Sequence, residues 1–259
     1  MQWSIEQYLT HLGTFGLVLV RISTLMAIAP LFGTFEVPPR VRALLMLAMC
    51  LLIVPLQAGR VTHPPDSLAG FLVLAGGEAL IGITLGLGIR ILFSSMQVAG
   101  QIISQMSGLQ LADVFSPGFS TSMPLFSHLL LGVTTAMFLL IGGHRRVMEA
   151  LLDTFVWMPA GEGRFSQSAV EATTSLLAQS FELGVRAAAP AMVALLLSTL
   201  ILGLISRTLP QLNVMALGFG INSVVVLIAL GLSLGGACWI FQDQLEPTLE
   251  TVLAALKAQ

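Results

Sequence analysis

The chain has 259 residues, of which 56% are hydrophobic and only 9% charged, with a formal net charge of −2. A soluble domain carries about 25% charged residues, so water is the wrong solvent for this chain. The weak acidic balance also argues against nucleic acid as a partner, because phosphate binding calls for a clustered basic surface.

The apolar residues come in long blocks, and a bilayer core of roughly 30 Å needs about 20 of them per spanning helix. The N-terminus carries Glu6 and no basic n-region, which predicts no cleaved signal peptide. Leu12–Leu31 is the first candidate span, interrupted by Arg21. Val41–Leu56 follows Arg40 and Arg42, and Leu68–Ile89 is uninterrupted except for Glu78. Leu125–Gly143, Ala187–Ile205 and Val214–Phe241 complete about six, an all-α integral membrane fold. The last two spans read as a helical hairpin turned at Arg207–Asn213, where Pro210 cannot donate a helix hydrogen bond. The stretch from Arg145 to Glu182 is polar and amphipathic, and reads as a solvated or interfacial face.

The bias of Lys and Arg toward cytoplasmic loops does not orient these spans. With the N-terminus outside, Arg40, Arg42, Arg90 and Arg207 face inward, but Arg60, Arg145, Arg146, Arg164 and Lys257 face outward. Helices packed in an assembly that never makes ordinary crossings give this pattern, and so does a segment count off by one.

Arg21, Glu78 and Asn222 sit inside apolar segments, where an ionisable group costs at least about 3 kcal/mol. They are expected to face protein or water, either as pairs between helices or as part of an ion path. Gly82 and Gly86, and again Gly231 and Gly235, have the GxxxG spacing that admits close helix approach.

From Arg90 to Pro124 the sequence is most informative. A helix starting near Leu68 and continuing to Ala112 is over twice the apolar thickness, so it bends or projects from the bilayer. Gln97, Gln101 and Gln105 recur every fourth residue and share one helix face, with Gly100, Ser104 and Gly108 as a small-residue edge beside them. Such an uncharged polar stripe suits either the wall of an aqueous conduit or hydrogen bonding between helices, and spacing does not choose. The following segment, Asp113 to Pro124, is broken by Pro117 and Gly118 and is a loop. Its Phe115, Phe119 and Met123 suit a deformable apolar seal or an ordinary surface loop.

Enzyme chemistry has little to stand on. His11, His63, His128 and His144 are dispersed, Cys50 and Cys238 lie in separate apolar segments, and no Gly-rich phosphate loop follows a strand. Neither a metal nor another cofactor is expected. The rival class is a secondary transporter or small-solute channel, motivated by Arg21, Glu78 and Asn222 at membrane depth.

Taken together, Arg21, Ala29-Pro30 with Phe32-Gly33, Val37-Pro38 before Arg40-Val-Arg42, Pro55, Glu78, Gly82, Gly86, the Gln97–Gly108 stripe and Arg207 with Pro210-Gln-Leu-Asn213 resemble the FliR/SctT family of type III secretion export-gate subunits. The resemblance covers nearly the whole chain. Ser116-Pro117, where the family often has Asp-Pro, and Gly220, where it often has Pro, depart from the family pattern. The resemblance implies a core subunit of the flagellar export gate in the bacterial inner membrane. FliP-like and FliQ-like subunits would be its partners, with an FlhB-like subunit in contact and unfolded flagellar subunits as cargo. It further implies a FliP-like region over residues 1–176 and a FliQ-like hairpin over residues 177–259. Gln97, Gln101 and Gln105 would then line the conduit. A plug loop at about 106–124 would close it, with Met106, Asp113, Val114, Phe115, Ser116, Pro117, Gly118, Phe119 and Met123 as its residues. Arg21, Glu78, Arg207, Pro210, Gln211 and Asn213 would serve subunit packing and the turn.

Overall fold

The computed structural model describes residues 5–30, 38–57, 67–108, 124–163, 167–208 and 214–258. These form seven helices: α1 (Ile5–Ile28), α2 (Pro39–Gln57), α3 (Leu68–Ser107), α4 (Leu125–Leu140), α5 (Gly143–Trp157), α6 (Gln167–Thr208) and α7 (Val214–Lys257). No strand occurs among the described residues. By length and composition three of them (α2, α3 and α6) can cross a membrane, or up to five spans exist if each of two interrupted helix pairs counts as one. The chain is an all-α membrane protein.

The starts of these helices follow local chemistry. Pro39 occupies the first turn of α2, where its missing N–H costs nothing, and the Pro38 carbonyl accepts from Val41 and Arg42. Ser67 caps α3, its hydroxyl accepting from the Gly70 N–H at 3.1 Å. Gly142, at φ +72°, takes a left-handed conformation that lets the chain leave α4 and begin α5. Pro190 and Pro247 lie inside α6 and α7. Apolar stretches of this length hold together because no water competes for the backbone amides.

Three helices run further than their apolar blocks. The 40 residues of α3 make it about 60 Å long, twice the bilayer core. The start of α6 takes up the polar residues from Gln167 to Glu182, which have enough helix formers to propagate the ladder once the apolar half is anchored. The end of α7 likewise continues past Phe241 to Lys257.

Two compact units divide the chain. Unit 1 comprises Met1–Ile91, Gly142–Leu177 and Leu245–Gln259; unit 2 comprises Leu92–Ile141 and Ala178–Gln244. In unit 1, α1 is enclosed: Leu17, Val18, Ile22, Leu25 and Met26 are fully buried. The apolar part of α1, Leu12–Ile28, is shorter than the spans above. It crosses α3 at Gly82 and Gly86, where an added Cβ would run into the Arg21 carbonyl, the Thr24 hydroxyl and Ile28. In contrast, α2 buries little beyond Cys50, Ile53 and Gln57, and leaves Leu44, Leu51, Leu52 and Leu56 each more than 60% exposed. Such a surface needs lipid or another subunit's helices to cover it.

Unit 2 is built around Phe93, whose ring meets Phe138 of α4 and Phe241 of α7 edge-on at 5.3 Å each. Ala188, Ala191 and Leu195 of α6 are fully buried. Gly184 lets α6 approach α3, since a Cβ there would stand 2.8 Å from the Ser95 carbonyl oxygen.

Candidate functional site

The end of α3 has two unlike sides. Met96, Ala99 and Ile103 are buried, and so are Gly100 and Ser104. Gln97 is half-buried, whereas Gln101 and Gln105 are exposed. A four-residue repeat places the three amides in one row, and the chain leaves that row open while packing the small-residue edge beside it. The packing is close. A Cβ at Gly100 would stand 2.5 Å from both N and Cα of Ser127 and 2.6 Å from the Phe126 carbonyl oxygen. The Ser127 hydroxyl donates to the Gln97 carbonyl at 3.0 Å, fixing α4 against α3 at this level.

Gly108 closes α3 with φ +75°, its N–H donating to the Gln105 carbonyl at 3.3 Å. Met106 is half-buried in the last turn. Asp113, Val114, Phe115, Ser116, Pro117, Gly118, Phe119 and Met123 lie outside the described residues.

The second feature is a buried ion pair in unit 1. Arg21 Nε donates to Glu78 Oε2 at 2.5 Å, and both side chains are 0% exposed. Arg21 Nη1 donates to the Thr154 hydroxyl at 3.2 Å and, with Nη2, to the Met158 carbonyl at 3.1 Å. Its guanidinium lies over the Phe155 ring, 4.1 Å from the centroid. Glu78 Oε1 accepts from the Gly161 N–H at 2.8 Å. Two groups that each needed a partner inside an apolar helix therefore hold one another. They also hold the turn after α5.

The remaining residues are scattered. Arg207 is exposed in the last turn of α6, and Pro210, Gln211 and Asn213 lie outside the described residues. In the hairpin, Asn222 Oδ1 accepts from the Ser198 hydroxyl at 2.7 Å. Gly231 and Gly235, unlike Gly82 and Gly86, have nothing within 4 Å of an added Cβ. No three His, Cys, Asp or Glu side chains among the described residues form a group suited to a metal ion.

Residues 12–248 match the family of bacterial export proteins, family 1. The chain belongs to the FliR family of bacterial export proteins. It is 33% identical to the flagellar biosynthetic protein FliR of Aquifex aeolicus over 215 residues, which is 83% of this chain and 82% of that protein. It is 32% identical to the FliR of Escherichia coli over 229 residues, 87% and 85% of the two chains. The FliR of Caulobacter vibrioides is 29% identical over 238 residues, 91% and 94%.

Sequence reasoning singled out Arg21 and Glu78 but not the groups that complete their site. Met158 and Gly161 contribute through backbone atoms, which no side-chain pattern announces. The available signal was the run of Gly161, Glu162 and Gly163 after Pro159. Gly163 meets Gly77 backbone to backbone, so that neither position has room for a Cβ.

Proposed function

We propose that the chain is a core subunit of the flagellar protein export gate in the bacterial inner membrane. It forms part of a conduit for unfolded flagellar subunits and catalyses no reaction. Membership of the FliR family supports the coarser statement, a membrane component of the flagellar export apparatus. The finer reading is carried by one observation: Gln101 and Gln105 are exposed while Gly100 and Ser104 beside them are buried, Gly100 directly against α4. A row of amides offers donors and acceptors without net charge. Passing polypeptide can exchange hydrogen bonds with it and is not held.

In this reading residues 1–176 take a FliP-like place and residues 177–259 a FliQ-like place in a shared helical assembly. An FlhB-like subunit makes contact with it. The loop from Asp113 to Met123 closes the conduit, with Met106 in the last turn of α3 that leads into it. The exposed apolar faces of α2, α6 and α7 are then covered by FliP-like and FliQ-like partners and by lipid. A small-solute transporter would instead need an accessible ionisable group at membrane depth. Arg21 and Glu78 are fully buried and have their partners within the chain.

Co-expression tests the proposal. Purified alone in mild detergent, the chain is expected to be polydisperse; with FliP-like and FliQ-like subunits it is expected to elute as one complex. A stable monomer whose behaviour those subunits do not change would count against it.

A further inference from the structure

We infer that the Arg21–Glu78 pair is a polarity-specific receptor for the backbone of the 158–161 turn, which it positions against α1 and α3, and not merely a staple between those two helices. Three observations converge on the turn. Arg21 reaches past Glu78 to the Met158 carbonyl with both terminal nitrogens, at 3.1 Å each. Glu78 spends one oxygen on Arg21 and the other on the Gly161 N–H at 2.8 Å. The chain beyond then lies backbone against backbone at Gly77 and Gly163.

The arrangement has a direction. Met158 presents an acceptor and Gly161, three residues on, presents a donor, so the cation must be on α1 and the anion on α3. A plain ion pair has no such demand, and exchanging its partners restores it. Here exchange would set a carboxylate against a carbonyl oxygen and a guanidinium against an N–H. Apolar replacement of both side chains, often tolerated for buried ion pairs, would leave the carbonyl and the N–H buried without partners. The guanidinium is required as well as the charge. Its three nitrogens serve Glu78, Thr154 and Met158 at once, and a lysine ammonium cannot span them.

Unlike the conduit reading, this inference needs nothing beyond unit 1 and can fail or hold independently of it.

The test is amide hydrogen exchange over residues 158–163 in the purified full-length chain, with accumulation in membranes as a second readout. Variants are Arg21→Lys, Arg21→Glu, Arg21→Leu with Glu78→Leu, and the exchange Arg21→Glu with Glu78→Arg. Arg21→Lys keeps the charge, and is expected either to accumulate with exchange in the turn raised at least about tenfold while α3 is unaffected, or not to accumulate at all. The exchanged pair is expected to do no better than Arg21→Glu alone in both readouts. Wild-type protection of the turn in Arg21→Lys would overturn the inference. So would recovery of wild-type accumulation and protection by either double variant.

Discussion

The closest helix contact beside the glutamine row can be tested with one methyl group. In Gly100→Ala the new Cβ would stand 2.5 Å from N and Cα of Ser127, whereas carbon atoms settle at about 3.5–4.0 Å. Both obstructing atoms are backbone, so no side-chain rotation relieves the clash. The helices α3 and α4 must separate locally by about 1 Å. Overpacking of this kind costs about 1–3 kcal/mol, and the better helix propensity of alanine returns up to about 1 kcal/mol. With the full return the net loss is up to about 2 kcal/mol, which corresponds to a drop in melting temperature of up to roughly 8 °C for a chain of this size. The control is Gly132→Ala on the exposed side of α4, where a Cβ meets nothing within 4 Å. Thermal unfolding of the two variants in the same detergent, each co-purified with the FliP-like and FliQ-like subunits and followed by loss of the complex's elution peak, measures the difference. If Gly100→Ala melts with wild type and with Gly132→Ala, α3 and α4 do not approach as described and the glutamine row has no fixed backing.

Deleting Phe115–Ser122 from the assembled complex is expected to raise ion leak and slow growth with little loss of assembly; unchanged conductance with intact assembly would make the loop ordinary surface. Replacing both Gln211 and Asn213 with Leu is expected to impair complex formation, and co-purification at wild-type yield would reduce that turn to a connector. Asn222→Leu removes the acceptor of the Ser198 hydroxyl, which in a membrane bundle is worth about 0.6 kcal/mol and at most about 1.7 kcal/mol. A double-variant cycle with Ser198→Ala is expected to return a coupling of that size; additive effects would mean the bond contributes nothing.

What the sequence makes legible here depends on how local the cause is. Helix existence is set by runs of apolar residues against a fixed bilayer thickness, so Val41–Leu56, Leu68–Ile89, Ala187–Ile205 and Val214–Phe241 each lie within one helix, whereas the expected single span Leu125–Gly143 is broken at Ile141 and Gly142. Helix ends are less legible: α6 begins at Gln167, well before its apolar block at Ala187, because its polar first half is propagated from an anchored apolar half. Desolvation cost identified Arg21 and Glu78 as needing partners, yet it could not tell that they would find each other across 57 positions, nor that a turn's carbonyl and amide would complete the site. The two GxxxG motifs show the same limit. Gly82 and Gly86 carry a close crossing while Gly231 and Gly235 stand open, and spacing alone is identical in the two cases. Only the neighbour decides.

The central claim is that the Gln97–Gln105 row faces moving cargo. A photo-reactive residue placed at Gln101 or Gln105, in cells holding a flagellar subunit stalled in transit, tests it most directly. Cross-links to that subunit are predicted from Gln101 and Gln105 and absent from the buried positions Ala99 and Ile103, and they should vanish when the FliP-like partner is missing. Cross-links from the glutamine row to lipid or partner helices only, with none to the stalled subunit, would contradict the account.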